Sequence, residues 1–144
     1  MNGAQVAQVL RVSLDGGSQL NHFQTFYRRQ SGREPLAVAV GLKKVKDGQK
    51  EFNAERGRLT IWEPMSNDLG MQGLAILVNP AGVEVTEDKL NHLVVLKPAS
   101  TVPVSDWAGF VWDRAGRITS AEAWRKYVDE FAEARRSPIA ITVK

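Results

Sequence analysis

Short apolar runs separated by turn-forming residues dominate the chain. Apolar and β-branched residues are interrupted by Gly, Pro, Asn or Asp at intervals of about ten residues. Within residues 5–14, Leu10, Val12 and Leu14 fall on one side of an extended chain, and the Asp-Gly-Gly at 15–17 favours a tight turn. Such a pattern is typical of antiparallel strands. We predict strands over residues 5–14, 20–29, 36–45, 58–63, 73–78, 83–86, 90–97 and 102–112.

Three segments carry more specific expectations about the sheets. Residues 36–45 are apolar almost throughout, so we expect them to be buried on both faces. Residues 83–86 form at most a short edge strand. Residues 49–55 are flanked by Asp-Gly and Arg-Gly pairs and are interpreted as a polar excursion without a strand.

One segment near the C-terminus has helical periodicity. Trp124, Val128 and Phe131 recur at spacings of three and four residues, which places them on one face of a helix and in the core. Thr119 and Glu122 have the capping-box spacing, in which each side chain accepts a hydrogen bond from a backbone N–H of the first turn. The segment therefore predicts an amphipathic helix that begins at this box.

These elements together predict a mainly β fold. Turn-length connections favour antiparallel pairing, and about eight such strands commonly form a sandwich or a partly closed barrel. The helix has a single apolar stripe, so we expect it to lie across a sheet face or an open end. Residues 139–143 alternate again and predict a final strand. No linker divides the chain, which indicates one domain over residues 1–144.

Composition excludes several classes of site. The chain has no cysteine, which excludes disulfides, thiolate metal ligands and cysteine nucleophiles. No apolar run approaches the roughly 20 residues of a membrane-spanning helix, so no membrane partner is expected. The first eight residues lack the basic start and apolar stretch of a secretion signal. Cysteine-free chains fit the cytoplasm and the periplasm alike, which leaves the compartment open.

The charge pattern favours acidic ligands only weakly. The formal net charge is +3, and the basic residues form small clusters at residues 28–33, 43–46 and 135–136. None of these clusters has the interleaved aromatic residues of a nucleic-acid surface, so no nucleic-acid partner is predicted. A modest preference for acidic ligands is the functional interpretation that remains.

No established catalytic or cofactor motif is present, and no cofactor is predicted. The two histidines lie within predicted strands and are interpreted as ordinary strand residues rather than as a metal site. The sequence leaves open which acid and base groups converge. The candidates for acid–base chemistry are Glu63, Asp106, Asp113, His22 and His92.

The tryptophans suggest a different kind of site. Trp62 precedes Glu63, and Trp112 precedes Asp113. A tryptophan face beside a carboxylate is a common way to hold a sugar, because the ring stacks on the indole and the acid accepts hydrogen bonds from hydroxyls. Trp107 and Trp112 should face opposite sides of a regular strand, so at most one of them faces a given groove.

Several stretches of the chain resemble the C-terminal part of a bacterial family, domain of unknown function 4861. Their order and spacing agree over about 120 residues, which is nearly the whole chain. The segment at 108–113 (Ala-Gly-Phe-Val-Trp-Asp) is the most telling. The resembling stretches are 17–21, 36–44, 92–97 and 108–113, followed by Trp124, Tyr127, Val128, Phe131 and the Ser-Pro at 137–138.

The resemblance implies a role in carbohydrate handling. Members that resemble this chain are considerably longer, usually carry a secretion signal and sit among genes for breaking down acidic plant or algal polysaccharides. The chain would then correspond to the C-terminal half of a longer protein. A partial chain would expose a sheet edge or apolar face, so we expect a homo-oligomer.

Three functional hypotheses follow from the sequence. The leading one is a carbohydrate-associated domain that binds acidic oligosaccharides or forms part of an enzyme acting on them. The second is a free-standing glycoside hydrolase or polysaccharide lyase, with Glu63, Asp113 and His92 as catalytic candidates. The third is an assembly domain without a small ligand, which predicts that all aromatic side chains are buried. The expected ligand-binding residues are Trp62, Trp112, Glu63, Asp113, His92 and Lys43.

Overall fold

Nine strands and one long helix make up the described part of the chain. The computed structural model describes residues 5–30, 36–96, 103–138 and 140. Single 3-10 turns occupy Ser66–Asp68 and Asp113–Ala115. The elements are β1 (Val6–Ser13), β2 (Leu20–Arg29), β3 (Val38–Lys43), β4 (Gln49–Asn53), β5 (Arg58–Pro64), β6 (Met71–Val78), β7 (Glu84–Glu87), β8 (Asn91–Leu96), β9 (Val104–Trp112) and α1 (Ala121–Arg136).

The strands form two open antiparallel sheets. The large sheet has the order β1-β2-β9-β6-β5-β4, and the small sheet has the order β3-β8-β7. All the strand pairs are antiparallel, as the short connections predicted. Among the described residues the large sheet ends at β1 and β4, so it does not close into a barrel. The mainly β prediction is confirmed, in its sandwich form.

Helix α1 covers one face of the large sheet. Trp124 and Val128 are fully buried there, against a cluster that includes Leu20, Trp62 and Val111. This confirms the apolar stripe read from the helical spacing.

The Trp124 indole fits into a gap that only glycine leaves. An added Cβ at Gly73 would lie 2.6 Å from Trp124 Cδ1. The Trp124 Nε1 donates a hydrogen bond to the Leu74 carbonyl at 3.1 Å, so the ring is fixed at both its apolar and polar ends.

The small sheet covers part of the opposite face. Leu59, Ile76 and Val78 of the large sheet form a second buried cluster with Val94 of β8. Each face of the large sheet therefore has its own core. Side chains at paired positions in neighbouring strands share a face, so register decides which layer each residue joins.

The expectation of two-sided burial for residues 36–45 is wrong. β3 alternates between half-buried and exposed positions, because only one face of the small sheet meets the large sheet. The exposed positions carry small residues such as Ala39 and Gly41, which made the run read as continuously apolar.

Two further boundaries need correction. Residues 49–53 form β4, an edge strand paired with β5, so the described strands number nine rather than about eight. The helix N-cap is Ser120, whose side chain accepts from the Ala123 N–H at 3.2 Å, and not Thr119. The predicted final strand at 139–143 lies outside the described residues except for residue 140, which has no regular structure.

A buried arginine, Arg58, forms ion pairs that link α1 to the edge of the large sheet. The Arg58 side chain is 3% exposed, and its Nη2 lies 2.6 Å from Glu51 Oε1 on β4. Its Nε lies 2.9 Å from Asp129 Oδ1 on α1. Because both carboxylates remain partly solvated, this bridge fixes the helix position without burying an unpaired charge.

The other edge of the large sheet is exposed. Large apolar side chains are exposed along β1 at Val9, Leu10 and Val12, and just after it at Leu14. A sheet edge of this kind can pair with another strand. The expected homo-oligomer stays a prediction. In the described part of the chain, no helix combines the length and apolarity needed to cross a membrane.

Candidate functional site

A row of three side chains crosses three neighbouring strands near one end of the large sheet. Glu63 of β5 pairs with Gln72 of β6, and Gln72 pairs with Trp112 of β9. Residues at directly paired positions lie on the same face, and this face is the one that also carries Leu59 and the small sheet. Two strand spacings separate Glu63 from Trp112, or about 10 Å between Cα atoms.

Glu63 is an almost fully buried carboxylate. Its side chain is 2% exposed, and its Oε1 accepts a hydrogen bond from Gln72 Nε2 at 2.7 Å. Its Oε2 is also buried and has no hydrogen-bond partner among the described residues. A buried carboxylate oxygen is a strong acceptor, and Glu63 holds the amide of the half-buried Gln72 between itself and Trp112.

Trp112 forms the open end of the row. The residue is 38% exposed, and its Nε1 donates to the Leu69 carbonyl at 2.7 Å. Phe110, two positions earlier on the same face, is 59% exposed, and Leu69 is 47% exposed. We call Leu69, Phe110 and Trp112 the Trp112 patch. The indole hydrogen bond holds the Trp112 ring in place, which leaves a pre-ordered apolar surface.

The loop at 65–70 and the turn after β9 close one end of the patch. Arg114 Nη2 donates to the carbonyl of Asp68. Asp113 Oδ1 lies so close to Gly70 that any Cβ there would collide with it, and Gly70 also has a φ of +99°. Asp113 Oδ1 is buried without a hydrogen-bond partner among the described residues. Of the sequence candidates, Asp113 directly follows Trp112 in the chain, and Glu63 lies two strands away on the same row.

His92 lies on the small sheet, facing the large one. Its Nδ1 is 3.0 Å from Glu87 Oε1, and Glu87 Oε2 is 2.8 Å from Lys44 Nζ. Lys50 of β4 also binds Glu87, so this cluster ties the two sheets together. Lys44 chiefly, then Lys50 and His92, lower the pKa of Glu87 to about 2. Glu87 is therefore a poor proton carrier near neutral pH.

Lys43 does not join this cluster. It is exposed and alternates with Leu42, which faces the large sheet, so Lys43 lies on the outer face of the small sheet. The next residue, Lys44, makes the ion pair. The expected contact between Lys43 and a ligand at the Trp112 patch has no geometric support.

Trp62 requires a larger correction. It neighbours Glu63 in sequence but faces α1, where it is 6% exposed and belongs to the cluster around Trp124. Successive strand residues point to opposite faces, and only the Glu63 side carries the open patch. Trp62 is a core residue with no free ring face for a sugar.

The remaining acid–base candidates lie elsewhere. Asp106 is 6% exposed, and burial raises its pKa to about 6. It lies six positions before Trp112 on β9, or about 20 Å along the strand, which is too far to act with Glu63 on one glycosidic bond. Within the described ranges, no three His, Asp or Glu side chains form a group that could hold a metal ion.

His22 and Trp107 form a separate stack on the helix side. Their rings are parallel within 7° with centroids 4.6 Å apart, and His22 Nε2 lies 2.6 Å from Ser105 Oγ. The predicted opposition of Trp107 and Trp112 is confirmed, because Trp107 packs near Phe131 of α1 while Trp112 faces away. Burial chiefly, and then Arg135, lower the pKa of His22.

These features define a β-sandwich domain with a helix on one face and an aromatic patch beside buried carboxylates on the other. The family model for Domain of unknown function (DUF4861) matches residues 1–141, and the chain belongs to that family. The resemblance read from the sequence is thereby confirmed.

One curated relative and the solved structures complete the comparison. "Uncharacterized protein P7" of Formosa agariphila is 26% identical over 152 aligned positions. The alignment covers 99% of this chain and 36% of the relative, so the chain spans about a third of that protein's length. No solved structure matches the chain.

Proposed function

We propose that this domain binds acidic oligosaccharides at the Trp112 patch. The observation that carries the proposal is the row of Trp112, Gln72 and Glu63, which sets a fixed, exposed indole beside a buried carboxylate. A sugar ring has an apolar face that stacks on indole and an edge of hydroxyls that hydrogen-bond to polar side chains, here the half-buried Gln72 amide held by Glu63. Both requirements meet within about 10 Å on one sheet face.

A cation beside the patch supports the acidic class of ligand. Arg114 is exposed, and its one hydrogen bond among the described residues goes to the neutral carbonyl of Asp68. Its charge is therefore free to attract a sugar carboxylate. The net charge of +3 acts in the same direction. The family resemblance to proteins of acidic-polysaccharide breakdown agrees with this choice.

Trp112→Ala is expected to weaken binding to an acidic polysaccharide by about 5- to 150-fold, because an aromatic stacking contact contributes on the order of 1–3 kcal/mol. The measurement is affinity electrophoresis or calorimetry against polygalacturonate and alginate, with dextran as the neutral polymer. Binding of the unsubstituted protein should also weaken as salt rises, since exposed charges are screened.

Phe26→Ala is the matched control for this prediction. Phe26 is also an aromatic residue, 45% exposed, but it lies on the helix side of β2. The Phe26→Ala variant should bind the polysaccharides with the same affinity as the unsubstituted protein. Equal losses in both variants, or no loss in Trp112→Ala, would place the binding surface elsewhere. No binding to any glycan by the folded protein would end the proposal itself.

A second candidate function is hydrolysis or lyase cleavage of the same ligand. Glu63 Oε2 and Asp113 Oδ1 are both buried without hydrogen-bond partners among the described residues. Glycoside hydrolases use two carboxyl groups that lie about 5–5.5 Å apart in retaining enzymes and about 6.5–9.5 Å apart in inverting ones. Reducing-end or unsaturated-product release from a bound polysaccharide would favour the enzyme, whereas binding without release favours a binding module.

The assembly hypothesis is less well supported. It predicted burial of all aromatic side chains, yet Phe26, Phe110 and Trp112 are exposed. Exposed apolar residues along β1 keep self-association open as an accompanying property. Light scattering of the purified chain measures that state independently of glycan binding.

A further inference from the structure

A second concave site lies on the helix side of the large sheet. A cavity of about 270 Å³ opens between the end of β6, the following Asn-Pro turn and the last turns of α1. We call it the Trp107 pocket. Its lining includes Arg56, Asn79, Pro80, Trp107, Arg135 and Arg136.

The Trp107 pocket has an excess of positive charge. Arg136 is paired with Glu133 at 2.7 Å, and Arg56 lies 3.9 Å from Asp129. Arg135 has no carboxylate partner within the described part of the chain, and its guanidinium carbon sits 5.0 Å from the centroid of the Trp107 ring. This leaves one cation uncompensated and two only partly neutralised, all exposed enough to meet a ligand.

The pKa of His22, which lies beside the pocket, is lowered by burial and in part by the positive charge of Arg135. After burial, Arg135 is the next largest cause of the lowered pKa of His22, and Asp15 opposes it with a smaller effect. His22 is stacked on Trp107, so the positive potential of Arg135 reaches the aromatic wall of the pocket.

The aromatic wall is held rigidly. Ser105 fixes His22 through a contact of 2.6 Å, His22 stacks on Trp107, and Phe131 meets the Trp107 ring edge-on at 6.4 Å. With His22 stacked on the Trp107 ring and Arg135 above it, the pocket is bordered by the remaining edge of that ring and by Pro80, beside three guanidinium groups. An indole constrained in this way loses little entropy when a ring packs against it.

From this arrangement we infer that the Trp107 pocket binds a small carboxylate carried on a ring. The carboxylate lies against Arg135 with Arg56 and Arg136 nearby, and the ring contacts Trp107 and Pro80. A volume of about 270 Å³ limits the ligand to about one ring. The ring-borne carboxylate can belong to a sugar acid or to an aromatic acid. This site is separate from the Trp112 patch, because Trp107 and Trp112 face opposite sides of β9.

The test follows the four tryptophan indole N–H resonances by NMR during titration of the full chain. The probes are D-glucuronate and benzoate, with D-glucose as a neutral ring and acetate as a carboxylate without a ring. Trp107→Phe assigns the Trp107 resonance. A saturable shift of this resonance with glucuronate, benzoate or both, and a much weaker one with glucose and acetate, is the expected result.

Two variants separate the pocket from general charge. Arg135→Gln should weaken binding about tenfold or more, since a hydrogen bond to a charged group contributes about 1.5–3 kcal/mol. Arg28→Gln removes the same charge from an exposed position six residues along β2 from His22, about 20 Å away, and should leave binding unchanged. Trp112→Ala should also leave it unchanged, which distinguishes this inference from the function proposed above.

The titration of His22 gives an independent readout. A bound carboxylate neutralises Arg135, so the pKa of His22 should rise when the effective probe is present. Glucuronate alone as the effective probe identifies a sugar acid, and benzoate alone identifies an aromatic acid. The inference is overturned if neither shifts Trp107, if acetate binds as well as they do, or if Arg135→Gln binds with unchanged affinity.

Discussion

Trp124→Ala is expected to lower the free energy of unfolding by about 3–5 kcal/mol, the range for removing a large aromatic side chain from a core. Trp124 is fully buried at the centre of the helix-side cluster, and its Nε1 binds the Leu74 carbonyl. The substitution leaves a cavity above Gly73 and removes the hydrogen bond to the Leu74 carbonyl. Total stability is typically about 5–15 kcal/mol, so the variant should be marginally folded at best.

Urea unfolding followed by circular dichroism measures this effect. Trp112→Ala is the matched control, because the same residue type is removed from a site that is 38% exposed, and its loss should be only about 1 kcal/mol. Gly73→Ala tests the same contact from the other side, since the added Cβ would lie 2.6 Å from the indole and should cost about 1–3 kcal/mol. Similar losses for Trp124→Ala and Trp112→Ala would contradict the assignment of Trp124 to the core.

Asp106→Asn is expected to change how stability depends on pH. Burial raises the pKa of Asp106 from 3.8 to about 6. Between these values the folded protein holds a proton that the unfolded chain has lost, so Asp106 reduces stability progressively as pH rises from about 4 to above 6. A shift of about two pKa units corresponds to about 3 kcal/mol at neutral pH. Because Asn carries no charge, the variant should gain stability relative to the unsubstituted protein by up to this amount between pH 4 and pH 7.

The quantity to compare is the difference in free energy of unfolding between the Asp106→Asn variant and the unsubstituted protein at each pH. The pKa of His22 is lowered, so its stability contribution is fully present above its unfolded pKa of about 6.5 and is lost as pH falls from there to the lower folded pKa. His22 is present in both proteins and cancels in the difference. Urea unfolding of each at pH 4, 5, 6 and 7 gives the required curve. A pH-independent difference would show that Asp106 is solvated or paired in the folded state.

Most strand positions follow from local sequence. Alternation and turn residues are properties of neighbouring amino acids, and β2 begins and ends where the sequence pattern placed it. β4 was not predicted because its polar sequence shows no apolar alternation. Only its pairing with β5 defines it as a strand. The N-cap fell one residue late, at Ser120, because Thr119 and Ser120 can both accept the capping hydrogen bond and only backbone geometry chooses between them.

The residues of the candidate site could not be predicted from any single segment of the sequence, because their grouping depends on how the helix packs on the sheet. Parity alone predicts that Trp107 and Trp112 face opposite sides, but not which side a helix covers. The same alternation separates Trp62 from Glu63, although only packing of α1 makes Trp62 core and leaves Glu63 on the side of the Trp112 patch. Sequence adjacency to a carboxylate was therefore a poor guide to a sugar-binding tryptophan.

By itself, the sequence determined the antiparallel strands, the buried stripe of α1 and the family, because each of these rests on local periodicity or on residue order along the chain. The tertiary structure alone decided the Glu63–Gln72–Trp112 row, since it depends on the register of three strands. It also decided the Trp107 pocket, since the end of α1 must lie over β9 to bring Arg135 above the ring. Register and layer packing are set by the lowest free energy of the whole chain, and no local pattern encodes them.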